Sequence, residues 1–192
     1  LFLASMLLAP LGAWSQSVRF LEDRKLFVLQ SGAVSYVFGI NERNQLQHIY
    51  WGGAVTRDLD FKAAKSTDEW ASFDLPSTTT PQEYAGWGAG LFSEPALKVT
   101  YPDGNRDLVL QYDNHKIAGD TLTVTLKDIS RPVYVSLRYA VYPDTGILRR
   151  QATIENRGKT PLTVESAQSA TWTMPETDGY RRGLEMLAGL AY

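Results

Sequence analysis

The chain has 192 residues, 44% of them hydrophobic and 21% charged, with a formal net charge of -2. That is enough apolar material for one sizeable core, and the near-balanced charge leaves no basic footprint, so nucleic acid is not expected as a partner. With no cysteine and only two histidines, His48 and His115, the composition excludes disulfide frameworks, thiolate sites and cysteine nucleophiles, and we expect neither a metal site nor a cofactor.

Residues 1–13, LFLASMLLAPLGA, are apolar and uncharged. Ala13 and Ser15 flank Trp14 with the small-residue spacing of a cleavage site, so residues 1–15 read as part of a secretory signal peptide cut near Ser15. The stretch is too short to span a bilayer comfortably and no later segment is apolar enough, so no membrane association is expected. The competing reading is a buried N-terminal helix. The first reading predicts one mature domain, 16–192, secreted or periplasmic in a bacterium.

From Val18 onward the pattern is strands and turns. Residues 25–30, 34–41 and 46–51 are β-branched and aromatic runs separated by Ser31-Gly32 and Asn41-Glu42-Arg43-Asn44. Residues 96–101 alternate, with Leu97, Val99 and Tyr101 on one face, and Pro102-Asp103-Gly104-Asn105 turns the chain before a strand at 107–112. Two more alternating strands follow, Leu122-Val124-Leu126 within 121–127 and Val133-Val135-Leu137-Tyr139 within 133–141. Pro143-Asp144-Thr145-Gly146 then leads into 147–155, Asn156-Arg157-Gly158-Lys159 into a last strand over 162–174. No helical stripe appears after residue 15, so the fold class is all-β, an antiparallel sandwich or barrel. The stretch 52–90 has the composition of a long loop, which compact domains keep for binding, a lid or an interface.

Taken in order, Ser35-Tyr36-Val37, Leu46-Gln47-His48-Ile49-Tyr50-Trp51-Gly52, Ser72-Phe73-Asp74, Pro81-Gln82-Glu83-Tyr84, Phe92-Ser93-Glu94-Pro95-Ala96-Leu97, Tyr101-Pro102-Asp103-Gly104 and Ile154-Glu155-Asn156-Arg157-Gly158 form a series. This series resembles the N-terminal domain of glycoside hydrolase family 36, whose best-known members are α-galactosidases. The resemblance implies a large antiparallel β-supersandwich, galactose mutarotase-like, followed by a catalytic (β/α)8 barrel of about 250 residues. It places the nucleophile in a Lys-Trp-Asp-type strand and the acid/base beyond a Cys-x-Gly-Gly-Gly-Arg segment, and neither motif occurs here. Residues 183–192 also depart from the Gly-Arg-Trp strand of that family. The chain is therefore expected to be inactive alone, truncated before the barrel, with no catalytic residue of its own. The resemblance further implies a galactoside or oligosaccharide ligand such as raffinose or melibiose, and a homo-oligomer in the full-length protein.

A retaining glycosidase needs two carboxyl groups about 5 Å apart, one with a raised pKa. Asp58, Asp60, Asp68, Glu69, Asp74, Glu83 and Glu94 are the carboxylates of the loop region, and a solvated or turn-capping role is the default for each. In oligomeric family members the loop after the Tyr-Trp-Gly strand reaches a neighbouring subunit's sugar pocket, which makes Arg57, Asp58 and Asp60 the substrate-binding candidates. Trp87, among Gly86, Gly88 and Gly90, is the best candidate for an exposed ring that stacks on a sugar, ahead of Trp51 and Trp70. The Pro81–Tyr84 segment is expected to fix a buried turn, Glu83 pairing with Arg106 or with backbone N–H groups. Two alternatives stand beside this reading. One is a free-standing carbohydrate-binding or purely structural sandwich. The other is a mutarotase using His48 and His115 with a glutamate.

Overall fold

The computed structural model describes residues 17–66, 80–88 and 94–172. The signal-peptide reading of 1–15, the 183–192 tail and Trp70, Asp68, Glu69 and Asp74 lie outside these residues.

Ten strands make up the fold: β1 (Val18–Leu21), β2 (Leu26–Ser31), β3 (Val34–Ile40), β4 (Leu46–Gly53), β5 (Leu97–Thr100), β6 (Leu110–Ala118), β7 (Thr121–Asp128), β8 (Val133–Tyr142), β9 (Ile147–Asn156) and β10 (Thr163–Ala167). They form two four-stranded sheets, β1-β2-β3-β4 and β6-β7-β8-β9, and a two-stranded β10-β5 sheet. Strand-to-strand pairing within these sheets is antiparallel throughout. The helical content of the described residues is one three-residue 3-10 turn, Asp58–Asp60. The chain is thus the all-β antiparallel sandwich that the residue pattern calls for, and the described residues contain no (β/α)8 barrel.

Period-two patterning builds the core. In β7, Leu122, Val124 and Leu126 are buried, and in β8 so are Val133, Val135, Leu137, Tyr139 and Val141. These side chains meet Phe27, Leu29, Tyr36 and Phe38 of the first sheet in one continuous cluster. Aromatic rings cross the sandwich: Phe27 and Phe38 are 5.0 Å apart between centroids, as are Phe38 and Tyr139. At the β1 end, Phe20 and Phe27 pack on His115 of β6.

β2 is buried on both faces, so its apolar run is continuous rather than alternating. Leu26 and Val28 point away from the main core and join Val37 and Phe61 in a second cluster, with Val55 and Ala64 against it. The chain after β4 therefore folds back over the outer face of the first sheet. Gly39 sits beneath that cover: a Cβ there would lie 2.5 Å from Leu26 Cδ2 and 2.9 Å from the Ala64 Cβ.

The strand boundaries differ from expectation in three places. Val18–Leu21 forms an edge strand, β1, that the sequence pattern does not delimit. β6 starts at Leu110 and continues to Ala118, where 107–112 was the expected span. A bulge between Tyr112 and Asn114 keeps it paired with β7, and its polar residues fall on exposed positions, which hides the alternation. β10 ends at Ala167, because its partner β5 is only four residues long.

Phe38→Ala removes a ring at the centre of the aromatic chain. We expect it to destabilise the fold by about 3–5 kcal/mol in urea-induced unfolding. An unchanged midpoint would show that the two sheets do not share this core.

Candidate functional site

Residues 80–88 splice the sandwich together. The Glu83 N–H donates to the Leu46 carbonyl at 2.9 Å and the His48 N–H to the Pro81 carbonyl at 2.8 Å, so the segment first runs along the start of β4. It then turns to β5, where the Ala96 and Leu97 N–H groups both donate to the Ala85 carbonyl and the Trp87 N–H donates to the Leu97 carbonyl. Gly86 passes so near Leu108 that a Cβ would stand 2.3 Å from its carbonyl oxygen, and only glycine fits.

This path drives Glu83 into the core, where it is fully buried. Tyr36 of β3 donates its hydroxyl to the carboxylate (2.7 Å to Oε1, 2.9 Å to Oε2), and Tyr139 of β8 donates to Oε1 at 2.7 Å. Arg150 of β9 places Nη1 2.9 Å from Oε1, and its Nη2 donates to the Glu83 carbonyl at 2.7 Å. His48 Nδ1 approaches Oε2 to 3.4 Å without an aligned hydrogen bond. Burial pushes the carboxyl pKa up, but Arg150, His48 and the two tyrosines outweigh it and hold Glu83 below the usual carboxylate range. Burial and the Glu83 charge push both tyrosine hydroxyls up, so they stay protonated and donate. The buried turn is as expected from Pro81–Tyr84, but its partner is Arg150. Arg106 instead pairs with Glu165.

Beside this cluster a cleft of about 420 Å³ opens between the β3–β4 and β9 sides of the sandwich. Leu29, Val34 and Leu148 form apolar wall, Arg150 reaches it from the buried cluster, and Trp51 and Trp172 stand at it half exposed. Trp172 Nε1 donates to the Tyr36 hydroxyl at 3.1 Å, which ties its ring to the cluster.

The loop candidates Arg57, Asp58 and Asp60 come together on the 3-10 turn. Arg57 and Asp60 form a paired fork, 3.1 Å from Nε and 2.8 Å from Nη2, and Asp58 pairs with Arg19 of β1 at 2.8 Å. Arg24 Nη1 donates to the carbonyls of Asp58 and Phe61, and the buried Phe61 ring anchors the turn from below. Two hydrated carboxylates and a guanidinium are thus held on a fixed support, an arrangement suited to hydrogen-bonding sugar hydroxyls. Trp87 sits elsewhere, against β5, half-buried with Lys98 5.2 Å and Arg106 5.6 Å from its ring centroid.

The two histidines occupy different surroundings. His48 packs on Tyr36 beside Glu83, whereas His115 stacks on Phe20 and Phe27 with Tyr112 at 2.8 Å from its Nδ1. A general acid needs a raised pKa. Among the described residues the displaced carboxyls all move down: Glu83 as above, and Glu42, Asp103, Glu155 and Glu165 chiefly through hydrogen bonds from Ser66, Arg131, Arg157 and Thr100. Tyr36, Tyr139, Arg150 and Trp172 are the members that the sequence reading missed. The signal for Arg150 is a charge at an inward position of β9, in phase with Leu148, Ala152 and Ile154.

This antiparallel sandwich, spliced by a buried glutamate and carrying an anchored acidic-basic turn, is of the type found as the N-terminal domain of a glycosidase family. The chain belongs to the glycosyl hydrolase family 36 N-terminal domain family, whose model matches residues 44–185. It is similar to α-galactosidase Mel36A of Lactobacillus acidophilus, 28% identical over 182 residues covering 81% of this chain and 25% of that protein. It is equally similar to α-galactosidase AgaA of Geobacillus stearothermophilus, 28% identical over 84% of this chain and 26% of that protein. Among solved structures, α-galactosidase AgaB of the same organism superposes with a TM-score of 0.68 at 27% identity, covering 78% of this chain and 24% of that one. A substituted AgaA in complex with raffinose superposes at 0.66, with 28% identity, 74% of this chain and 24% of that one. The chain thus spans about a quarter of the length of the relatives it matches.

Arg150→Met leaves the Glu83 carboxylate buried without its cation, and at about pH 7 we expect a loss of about 3–5 kcal/mol. The pH dependence should also reverse. In the native chain Glu83 is depressed on folding, so its contribution is present above about pH 4.3 and is lost as pH falls through the lower folded value. In the variant burial dominates, the folded value rises above the unfolded one, and stability is lost as pH rises. Thermal unfolding should therefore show Arg150→Met gaining stability from about pH 7 to about pH 5 while the native chain does not. Parallel profiles would refute the assignment.

Proposed function

We propose that this chain is the non-catalytic N-terminal domain of an α-galactosidase that hydrolyses terminal α-galactosides, oligosaccharides such as raffinose or melibiose. It contributes to the substrate pocket through Arg57, Asp58 and Asp60 and to an oligomer interface. The observation that carries this reading is the family match over 44–185, joined to an acidic-basic turn pinned on the outer face of the first sheet. The complexes of AgaA with raffinose and with stachyose support the substrate class. The enzyme is exported, its leader removed near Ser15.

In the full-length enzyme, Asp58→Asn and Asp60→Asn should raise KM for raffinose about tenfold, the weight of one hydrogen bond to a charged group, with the unfolding temperature little changed. An unchanged KM in both would remove the turn from the pocket. Residues 16–192 alone should leave p-nitrophenyl α-galactoside intact, and any measurable turnover by them would overturn the non-catalytic reading. N-terminal sequencing of the exported protein should begin near Gln16.

A further inference from the structure

We propose that the cleft between the β3–β4 and β9 sides of the sandwich binds a neutral saccharide. Its volume of about 420 Å³ falls within the roughly 300–1,000 Å³ of small-molecule sites. Trp51 and Trp172 line the cleft at 54% and 42% exposure. Their rings lie 5.2 Å apart between centroids at 41°, a shallow V of two aromatic surfaces. The hydrogen bond from Trp172 Nε1 to Tyr36 holds one ring in place, which reduces the ordering cost of stacking a pyranose C–H face on it.

The second observation is Arg150. Its side chain is only 6% exposed and lines the cleft, yet its Nε has no hydrogen-bond acceptor among the described residues. A buried N–H without a partner is costly, and an acceptor entering the cleft would satisfy it. The charge of Arg150 is already balanced by Glu83 at 2.9 Å, and no other lining residue is charged. An anion would therefore find no net positive charge to hold it. A sugar hydroxyl, an acceptor without charge, matches the lining: an Arg150 N–H without an acceptor, the hydroxyls of Ser31 and Ser169, two aromatic surfaces and apolar wall. The choice of a galactoside among neutral saccharides rests on the proposed function; the saccharide class itself does not.

The test is NMR titration of the full-length protein with raffinose and with galactose, following the indole N–H signals. Both indole signals of Trp51 and Trp172 should shift with millimolar affinity. Trp51→Ala, a change at an exposed ring, should weaken that response of Trp172 about tenfold, Trp51→Phe should restore much of it, and Asp58→Asn should leave it unchanged. Silence of both indoles would overturn the inference. Cleft binding without α-galactoside hydrolysis would refute the proposed function alone. Hydrolysis with a silent cleft would refute this inference alone.

Discussion

A carboxylate removed from water between two β-sheets has to find its solvation in the protein, and Glu83 finds it in three strands at once. Tyr36 comes from β3, Tyr139 from β8 and Arg150 from β9, while β4 fixes the backbone of the segment that carries it. Such a cluster is weak evidence for net stability, because desolvating an ion pair offsets most of its attraction. Its effect is geometric. Three directional partners fix the β3, β8 and β9 faces in register, and a shifted arrangement would leave a buried charge without hydrogen bonds.

That geometry has consequences at a distance from the charge. With β9 held at Arg150, its inward residues Leu148, Ala152 and Ile154 stay against the core although none is fully buried. With Tyr36 held at Glu83, its hydroxyl accepts the Trp172 indole and places that ring over the cleft. The opposite face of the same sheet is organised by apolar contact. Phe61 and Val55 cover Leu26 and Val28, and Arg24 ties the turn above them through two carbonyls. One sheet therefore supports two differently built surfaces, an aromatic cleft inside and a charged turn outside.

The parts of this arrangement that could be read from sequence are those governed by local rules. Alternation locates β7 and β8 almost to the residue, and turn chemistry separates β8 from β9 at Pro143–Gly146. The Arg57–Asp60 pairing is local as well, three residues apart. What could not be read depends on long-range contact. Arg106 and Arg150 are equally plausible partners for Glu83 in one dimension, and only the fold sends Arg106 to Glu165 and Arg150 across the sandwich. The neighbours of Trp87, Lys98 of β5 and Arg106 of the following loop, are likewise set by long-range contact and leave its ring half-buried. β6 escapes because a bulge shifts its phase midway.

The surroundings of the described carboxylates also bear on acid catalysis. Protonating a glycosidic oxygen requires an acid that keeps its proton near neutral pH, which proteins make by burying a carboxyl in apolar surroundings with few hydrogen-bond donors. Glu83 is buried deeply enough, but its tyrosines and Arg150 reverse the effect and leave it anionic and enclosed. Asp58 and Asp60 are accessible rather than buried, and each is paired with a guanidinium. Burial without donors and access to a ligand do not coincide in any of these three groups.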